Sequence, residues 1–220
     1  MKPIADALLY GILDLGYVAE ARLEAVTAAL LEGGVDALQL RAKGADEEEI
    51  EEFARRMIGL TEAAGVPLII NDHPQLVPSV GAQGAHVGQD DFEVEDARWR
   101  AGRVLSGELP YLLIGKSTHS LEQARVAAAQ GADYIGFGPL FATPTKPGRP
   151  AIGMEHIAQV HEIVSVPVFC IGGIKRENLE QVLDAGARRV VVVSGILQAA
   201  DLAGYCREVK AVLEARNVLR

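Results

Sequence analysis

The sequence predicts an α/β fold: one (β/α)8 barrel, or TIM barrel, formed by residues 1–220 as a single domain. In four places an amphipathic helix ends at a glycine, and a short apolar run follows about two residues later. The apolar runs lack polar alternation, which is typical of parallel strands buried on both faces. Eight such runs divide the 220 residues into units of about 27 residues, the length expected for a compact barrel.

The same pattern predicts the elements in chain order. It occurs at Leu30–Leu40, Thr61–Ile70, Ala128–Phe137 and Leu183–Val193, where glycine provides the left-handed residue that ends a helix. The predicted strands are Leu8–Leu13, Ala37–Leu40, Pro67–Ile70, Ala85–Val87, Leu112–Ile114, Tyr134–Phe137, Val168–Ile171 and Val190–Val193. Helices are predicted between the strands, for example Glu20–Leu31, Glu47–Ala63, Pro74–Val80, Leu121–Ala129, Met154–Val164 and Glu177–Leu183. No linker composition interrupts them. The alternative, an open doubly wound sheet, lacks the G-x-G-x-x-G that would support it after the first strand.

Composition and charge narrow the function classes. Asp and Glu number 30 against 21 Lys and Arg, and the net charge of −9 argues against nucleic acid or an anionic membrane as the main partner. No apolar run approaches the roughly 18 residues of a membrane span, and Met1–Leu9 lacks the pattern of a signal peptide. The two cysteines, Cys170 and Cys206, are too few for a disulfide framework, so we expect a cytoplasmic protein. The sequence is compatible with a homo-oligomer.

Polar residues follow almost every predicted strand. The active site of a barrel lies at the carboxyl ends of its strands, so these residues are the candidates for binding and catalysis. They are Gln39, Arg41 and Lys43 after the second strand, Asn71 and Asp72 after the third, Asp91 after the fourth, Ser117 and His119 after the fifth, Thr143, Thr145 and Lys146 after the sixth, Gly172 and Gly173 after the seventh, and Val193 and Ser194 after the eighth. Their coincidence at one end of the barrel favours a functional site.

The ends of the seventh and eighth strands predict a phosphate site. Gly172 and Gly173 permit close approach of the backbone to a ligand, and Ser194 with Gly195 supplies a hydroxyl and open amides. Many barrels bind phosphate on the loops after these two strands. The alternative interpretation is that Gly172 and Gly173 only make a tight turn between strand and helix.

A second anion site is predicted at the other strand ends. Arg41, Lys43 and Lys146 are cations from the second and sixth units. Asp72 and Asp91 follow neighbouring strands about 4.8 Å apart, so both carboxylates can reach one ion. Mg²⁺ typically takes one or two carboxylates together with waters and phosphate oxygens. The residues therefore favour a site for a pyrophosphate ester with Mg²⁺.

Structural alternatives exist for several of these residues. Asp72 is also suited to cap the helix that follows it, and Asp90 or Asp91 is suited to cap the next helix. Arg41 and Lys43 are placed to pair with the acidic run Asp46–Glu52. His86, inside the fourth predicted strand, fits a hydrogen-bonded core histidine.

Taken in order, the motifs at these strand ends resemble one family. They are Q-L-R-A-K (Gln39–Lys43), N-D (Asn71–Asp72), H-V-G-Q-D-D (His86–Asp91), S-T-H-S (Ser117–Ser120), G-A-D-Y-I-G-F-G-P-L-F (Gly131–Phe141), T-P-T-K (Thr143–Lys146), I-G-G-I (Ile171–Ile174) and V-S-G-I (Val193–Ile196). From Leu9 to about Leu213 the chain is similar to the thiamine-phosphate synthase family, whose fold is a (β/α)8 barrel. The departures are Leu13, where a threonine is usual before Asp14, Ala142, where a proline is common, and Cys170, where a smaller residue is frequent.

The resemblance implies a transferase of thiamine biosynthesis, with a substrate set and residue roles. The reaction would join an aminopyrimidinylmethyl pyrophosphate to hydroxyethylthiazole phosphate by a Mg²⁺-assisted dissociative mechanism. The pyrimidine pyrophosphate would be bound by Gln39, Arg41, Lys43, Asn71, Ser117 and Lys146, of which Arg41, Lys43, Ser117 and Lys146 would be catalytic. The thiazole phosphate would be bound by Thr143, Thr145, Gly173, Val193 and Ser194. Mg²⁺ would be bound by Asp72 and Asp91.

Two other functions are compatible with the same barrel. One is a thiazole tautomerase, an isomerase that would use a histidine such as His119. The cations and carboxylates of the second anion site speak against it, because an isomerase acting on one phosphate does not need them. The other is a non-catalytic barrel that binds thiazole or thiamine phosphate, which would not need Asp72 and Asp91 for departure of a leaving group.

Overall fold

A closed barrel of eight parallel strands forms the centre of the computed structural model, which describes residues 1–102, 112–142 and 150–218. The strands are β1 (Leu9–Asp14), β2 (Ala37–Arg41), β3 (Leu68–Asn71), β4 (Gly84–Val87), β5 (Leu113–Thr118), β6 (Tyr134–Phe137), β7 (Val168–Cys170) and β8 (Val190–Val192). Each strand pairs with the next, and β8 pairs with β1 to close the sheet. The predicted fold class is confirmed.

Helices surround the barrel. They are α1 (Leu23–Glu32), α2 (Glu47–Ala63), α3 (Val77–Val80), α4 (Val94–Gly102), α5 (Leu121–Ala129), α6 (Ile157–Ile163), α7 (Arg176–Asp184), α8 (Ser194–Leu197) and α9 (Leu202–Val218). Asp46 caps α2: its side chain accepts from the Glu49 backbone, and the Glu49 side chain accepts from the Asp46 backbone, at 2.9 Å each. Among the described residues, no helix has both the length and the apolar character needed to cross a bilayer.

Two hydrophobic cores follow from the alternation of side chains along each strand. The larger lies between the sheet and the helices. The smaller fills the inside of the barrel and contains Ile4, Ala7, Tyr10, Ile12, Ala37, Ile69, Tyr134, Phe169 and Val191. Aromatic rings pack edge to face in this inner core, with centroids 5.4 Å apart for Tyr10 and Phe169 and 5.7 Å for Tyr134 and Phe169. The inner core closes the barrel below the strand ends.

The predicted element boundaries are correct to a few residues, with one larger difference. β5 was expected to end at Ile114 but continues to Thr118, in register with β6. The Thr118 hydroxyl donates to the Gly136 carbonyl at 2.9 Å, and the Lys116 ammonium donates to backbone carbonyls. These bonds allow polar residues to continue a buried strand. The region predicted as one helix at Glu20–Leu31 begins instead with a 3₁₀ turn at Glu20–Arg22.

Two aspartates connect neighbouring strands at the amino ends of the barrel. Asp36, just before β2, accepts backbone hydrogen bonds from Leu8 at 2.8 Å and Leu9 at 3.0 Å. Asp133, just before β6, accepts one from Ile114 at 2.7 Å. Asp36 is 4% exposed and pairs with the ammonium groups of Lys2 and Lys210, so it ties both chain termini to the barrel.

Candidate active site

A deep pocket opens at the carboxyl ends of the strands. The space enclosed by the pocket and its open mouth together is about 920 Å³. Seven residues predicted for substrate binding line it: Gln39, Arg41, Asn71, Ser117, Gly173, Val193 and Ser194. Residues that the sequence arguments placed in separate strands therefore face one cavity. Three other predicted residues, Thr143, Thr145 and Lys146, lie outside the described part of the chain.

An ion pair between β1 and β2 positions Arg41 at the pocket. Arg41 is opposite Asp14 in the strand register, and its Nη1 lies 2.5 Å from Asp14 Oδ2. The other carboxylate oxygen of Asp14 accepts from the Gly16 backbone amide at 2.9 Å. Asp14 is only 1% exposed, so this pair holds the guanidinium firmly. The alternative in which Arg41 pairs with Asp46–Glu52 is therefore wrong.

Asp72 is the centre of a second polar group, which adjoins the pocket through Asn71. The Lys43 ammonium pairs with Asp72 Oδ2, and Asn71 Nδ2 donates to the same oxygen at 2.7 Å. The backbone of Asp72 has φ 61°, in the left-handed region, and its amide donates to the His86 carbonyl at 2.9 Å. Strained backbone of this kind concentrates at functional sites. The capping alternative for Asp72 is wrong, because His73 is the residue that precedes the following 3₁₀ turn.

Asp72 and Asp91 share one charged environment. Burial alone would raise the pKa of Asp72, but hydrogen bonds from Lys43 and Asp91 outweigh it and lower that pKa. The pKa of Asp91 is raised, by partial burial and by its hydrogen bond to the Asp72 carboxylate. The carboxyl groups of Asp72 and Asp91 are therefore close enough to interact directly. Such a pair carries excess negative charge that a bound cation can offset.

The donor set at this pair fits Mg²⁺. It consists of carboxylate oxygens, which hard divalent cations prefer, and Asp91 is exposed, which leaves room for waters and substrate oxygens. In the described ranges no cluster of three or more His, Cys, Asp or Glu side chains is placed to hold a metal ion. Among the described residues, Asp72 and Asp91 are therefore the pair of carboxylates that we consider as metal ligands.

The loop that carries Asp91 is braced from β5. Lys116 Nζ donates to the Gly88 carbonyl at 2.9 Å and to the Phe92 carbonyl at 2.6 Å, on either side of Asp91. Burial lowers the pKa of Lys116. The Gly88 amide donates to Asp91 Oδ2 at 2.7 Å. The carboxylate is thus held by its own loop, and the loop is held by the barrel.

The turns after β7 and β8 form another side of the pocket. Gly172 (φ 99°) and Gly173 (φ 68°) both have left-handed backbone, and a Cβ at either position would come within 2.6 Å of the loop after β6. The tight turn and this packing are sufficient to explain the two glycines. Gly173 and Ser194 still line the pocket, and Ser194 begins α8, whose first N–H groups lack partners within the helix. This side of the pocket is suited to an anion.

Sequence reasoning missed several residues that line or support the site. Asp14 was mentioned only as the residue that follows Leu13, and Tyr10 and Tyr134 were not considered as site residues. His86 is hydrogen-bonded, as its core interpretation predicted, but it also lines the pocket. The two-residue period of the strands could have found them, since Tyr10 precedes Ile12 and Tyr134 precedes Gly136 on the inward face.

Comparison with known proteins identifies a family that spans most of the chain. Residues 9–196 match the family model described as thiamine monophosphate synthase. A thiamine-phosphate synthase of Halalkalibacterium halodurans is 41% identical over 214 residues, which cover 97% of this chain and 98% of the relative. One from Thermus thermophilus is 44% identical over 187 residues, 84% of this chain and 86% of the relative. The structure of a thiamine phosphate pyrophosphorylase from Pyrococcus furiosus superposes with a TM-score of 0.84 at 31% identity, over 96% of this chain and 98% of that one.

The fold and the pocket define a (β/α)8-barrel protein whose candidate active site lies at the carboxyl ends of its strands. The sequence matches identify a narrower group within this class. The chain belongs to the thiamine monophosphate synthase family.

Proposed function

We propose that this protein is a transferase that joins an aminopyrimidinylmethyl pyrophosphate to hydroxyethylthiazole phosphate, giving thiamine phosphate and pyrophosphate. The relatives carry the name of this activity. One observation carries the proposal: a single pocket is lined by Arg41 and Asn71 on one side and by the turns after β7 and β8 on another, and the Lys43–Asp72 pair adjoins it through Asn71. Two phosphorylated substrates need two such regions.

The pyrimidine pyrophosphate is assigned to the side formed by β2, β3 and β5. Arg41 and Lys43 supply positive charge, and Gln39 lies deeper, where an amide suits the polar edge of a pyrimidine ring. Asn71 and Ser117 supply further donors on the pocket wall. Lys146 is assigned to the same substrate from the family motif. These groups orient the substrate and stabilise charge on its departing pyrophosphate.

Asp72 and Asp91 would hold Mg²⁺ beside the pocket. The chemistry that a bound Mg²⁺ supplies is charge neutralisation at the pyrophosphate oxygens. The chain contributes the position of both carboxylates, through Lys43 and Asn71 at Asp72 and through the Lys116-braced loop at Asp91.

The thiazole phosphate is assigned to Gly173, Val193 and Ser194, with Thr143 and Thr145 from the family motif. Backbone amides and the Ser194 hydroxyl bind the phosphate, so the thiazole ring extends into the pocket toward the pyrimidine. Holding both rings in one cavity replaces an encounter in solution by a positioned reaction.

The reaction then needs no nucleophilic side chain. The bond between the pyrimidine methylene carbon and the pyrophosphate oxygen breaks, and pyrophosphate departs with the electron pair. The thiazole ring nitrogen attacks the resulting pyrimidine carbocation and forms the new carbon–nitrogen bond. The residues around the pocket provide orientation and stabilisation of the leaving group.

The test is pyrophosphate release with both substrates present, with and without Mg²⁺, together with identification of the organic product. We expect release that requires the thiazole phosphate and the metal, and thiamine phosphate as the product. Conversion of a thiazole tautomer alone would instead favour the isomerase, since His119 lines the same pocket. Tight binding of thiamine phosphate without turnover would favour the non-catalytic barrel.

The cellular setting is part of the same proposal. Both cysteines, Cys170 and Cys206, are buried and unpaired, which supports a reducing compartment such as the cytoplasm. The partners we propose are the two small phosphorylated substrates, with no nucleic acid and no membrane, in a monomer or a homo-oligomer.

Ser194→Ala is expected to raise KM for the thiazole phosphate about tenfold, the usual loss for one hydrogen bond to a charged group. KM for the pyrimidine pyrophosphate should change less than about twofold, because that substrate lies against other strands. Steady-state kinetics with each substrate varied in turn provides the measurement. Ser79→Ala is the matched control, since Ser79 is an exposed serine on α3 outside the pocket. Equal effects of Ser194→Ala on both KM values would contradict the two-region assignment.

A further inference from the structure

A continuous chain of hydrogen bonds crosses the inside of the barrel. Gln39 Nε2 donates to the Tyr10 hydroxyl at 3.0 Å, and the hydroxyls of Tyr10 and Tyr134 are 3.0 Å apart. Tyr134 lies 3.3 Å from His86 Nδ1, and His86 Nε2 lies 3.0 Å from the Ser117 hydroxyl. Both ends of the chain, Gln39 and Ser117, are assigned to the pyrimidine substrate. Its middle members have no role in the proposed function so far.

The chemistry of the groups orients this chain. The Gln39 amide nitrogen can only donate, so the Tyr10 oxygen accepts from it. Tyr10 is 1% exposed, so its hydroxyl hydrogen needs an acceptor inside the barrel, and the Tyr134 oxygen is that acceptor. Tyr134 then donates to His86 Nδ1, which places the imidazole hydrogen on Nε2, facing Ser117. The opposite order would leave the buried Tyr10 hydrogen without an acceptor in this chain, which is unfavourable.

The consequence falls on Ser117. Its oxygen accepts from His86, so its own hydrogen is available to the pocket and directed away from the imidazole. A serine in the opposite order would donate to His86 and present only lone pairs to the substrate. The chain therefore decides whether Ser117 is a donor or an acceptor toward a ligand.

Gly115 gives independent support for a specific contact between Tyr134 and His86. Gly115 is paired with both residues in the strand register. A Cβ at this position would lie 2.2 Å from Tyr134 Cζ and 2.5 Å from His86 Nδ1. The two rings approach to a centroid distance of 5.5 Å because β5 has no side chain between them. Glycine at position 115 thus permits the contact between Tyr134 and His86.

We propose that Tyr134 and His86 are positioning residues that set the Ser117 hydroxyl as a hydrogen-bond donor to the pyrimidine pyrophosphate. This inference rests on the proposed function, since the contact between Ser117 and that substrate is part of it. It adds a role for two side chains that act through Ser117 and do not themselves contact the reacting atoms.

A double-mutant cycle tests the proposal, with kcat for pyrophosphate release as the readout. Tyr134→Phe removes one oxygen and keeps the ring that packs on Phe169. We expect it to lower kcat about tenfold, the usual value of one oriented hydrogen bond, and to leave KM for the thiazole phosphate unchanged. In the Ser117→Ala background the same substitution should change kcat less than about twofold. An equal effect of Tyr134→Phe in both backgrounds would mean a general packing role and would overturn the proposal.

A second pair of variants gives a rescue test that does not depend on Tyr134. His86→Gln retains a donor near the position of Nε2, whereas His86→Leu removes it. We expect His86→Gln to keep at least about fivefold more activity than His86→Leu, since one donor is at stake. Equal activity of the two would also overturn the proposal. Pyrophosphate release by the unsubstituted protein distinguishes failure of the proposed function from failure of the positioning role. If the unsubstituted protein releases no pyrophosphate, the proposed function is wrong. If it releases pyrophosphate but the double-mutant cycle is additive, only the positioning role is wrong.

Discussion

Asp91→Ala is expected to lower kcat for pyrophosphate release by about a thousandfold, the scale of losing a principal electrostatic group in an active site. Asp91 is exposed and belongs to a loop, so its removal should leave the barrel folded. Asp72 would remain, paired with Lys43, and its single carboxylate would hold the metal weakly. The loss should therefore be partly recovered at high Mg²⁺ concentration.

The neighbouring Asp90 provides the matched control for this experiment. It is an exposed aspartate in the same loop and was not assigned to the metal. Asp90→Ala should keep kcat within about threefold of the unsubstituted value, because Asp90 is exposed and is not a ligand in the proposed metal site. Calorimetric titration of Mg²⁺ into each variant adds a readout that is independent of activity. Full activity of Asp91→Ala at ordinary Mg²⁺ concentration would remove Asp91 from the metal site.

The sequence predicted the barrel because its strongest local signal is repeated. Glycine-terminated helices followed by unbroken apolar runs occur along the chain, and each run became a strand. Strand ends in a barrel meet at one face, so reading the residues after each run was enough to predict Gln39, Arg41, Asn71 and Ser117 as neighbours. These predictions required no knowledge of register.

The missed features all depend on register or on side-chain pairing. Asp14 pairs with Arg41 because β1 and β2 place them opposite each other, which the residue types alone do not reveal. The sequence instead suggested the acidic run Asp46–Glu52, which is near Arg41 along the chain but caps and begins α2. The end of β5 was placed too early for a related reason. From the sequence alone Lys116 is typical of a loop residue. Its two carbonyl partners lie in the loop after β4, and only the structure shows them.

The hydrogen-bond chain inside the barrel is the feature that local sequence patterns predict least. Tyr10 and Tyr134 are 124 positions apart, and each looks like an ordinary core aromatic within its own apolar run. Their polar ends meet only once the sheet has closed. Barrel closure therefore creates functional contacts that no single βα unit contains.

Asp36→Ala is expected to be the most destabilising substitution of a single charged residue that we propose. It would leave the Lys210 ammonium, whose side chain is 12% exposed, without its carboxylate, and would remove the acceptor of the Leu8 and Leu9 amides. Breaking a buried pair on one side costs about 3–5 kcal/mol in the free energy of unfolding. For a chain of this length that corresponds to a Tm lower by about 10 °C.

Asp133→Ala is the matched comparison, because Asp133 makes the same kind of bridge between β5 and β6. Its side chain is 31% exposed, and its partner Arg98 is 38% exposed, so solvent screens the pair. We expect a loss of only about 1 kcal/mol, most of it from the Ile114 amide. Thermal or denaturant unfolding of both variants decides between a specific role of burial at Asp36 and a general effect of removing a strand-bridging aspartate.

The pH dependence of Tm provides a second, independent test of the contribution of Asp36 to stability. Burial alone would raise the pKa of Asp36, but hydrogen bonds from Lys2, Lys210 and two backbone amides outweigh it and lower that pKa. A carboxylate with a lowered folded-state pKa contributes stability above its unfolded pKa, near 4, and loses it as the pH falls through the folded value. The Tm difference between the unsubstituted protein and Asp36→Asn should therefore be full at pH 7 and should narrow below about pH 4. A difference that stays constant down to pH 2 would show that the charge of Asp36 contributes nothing and that only its hydrogen-bond geometry matters.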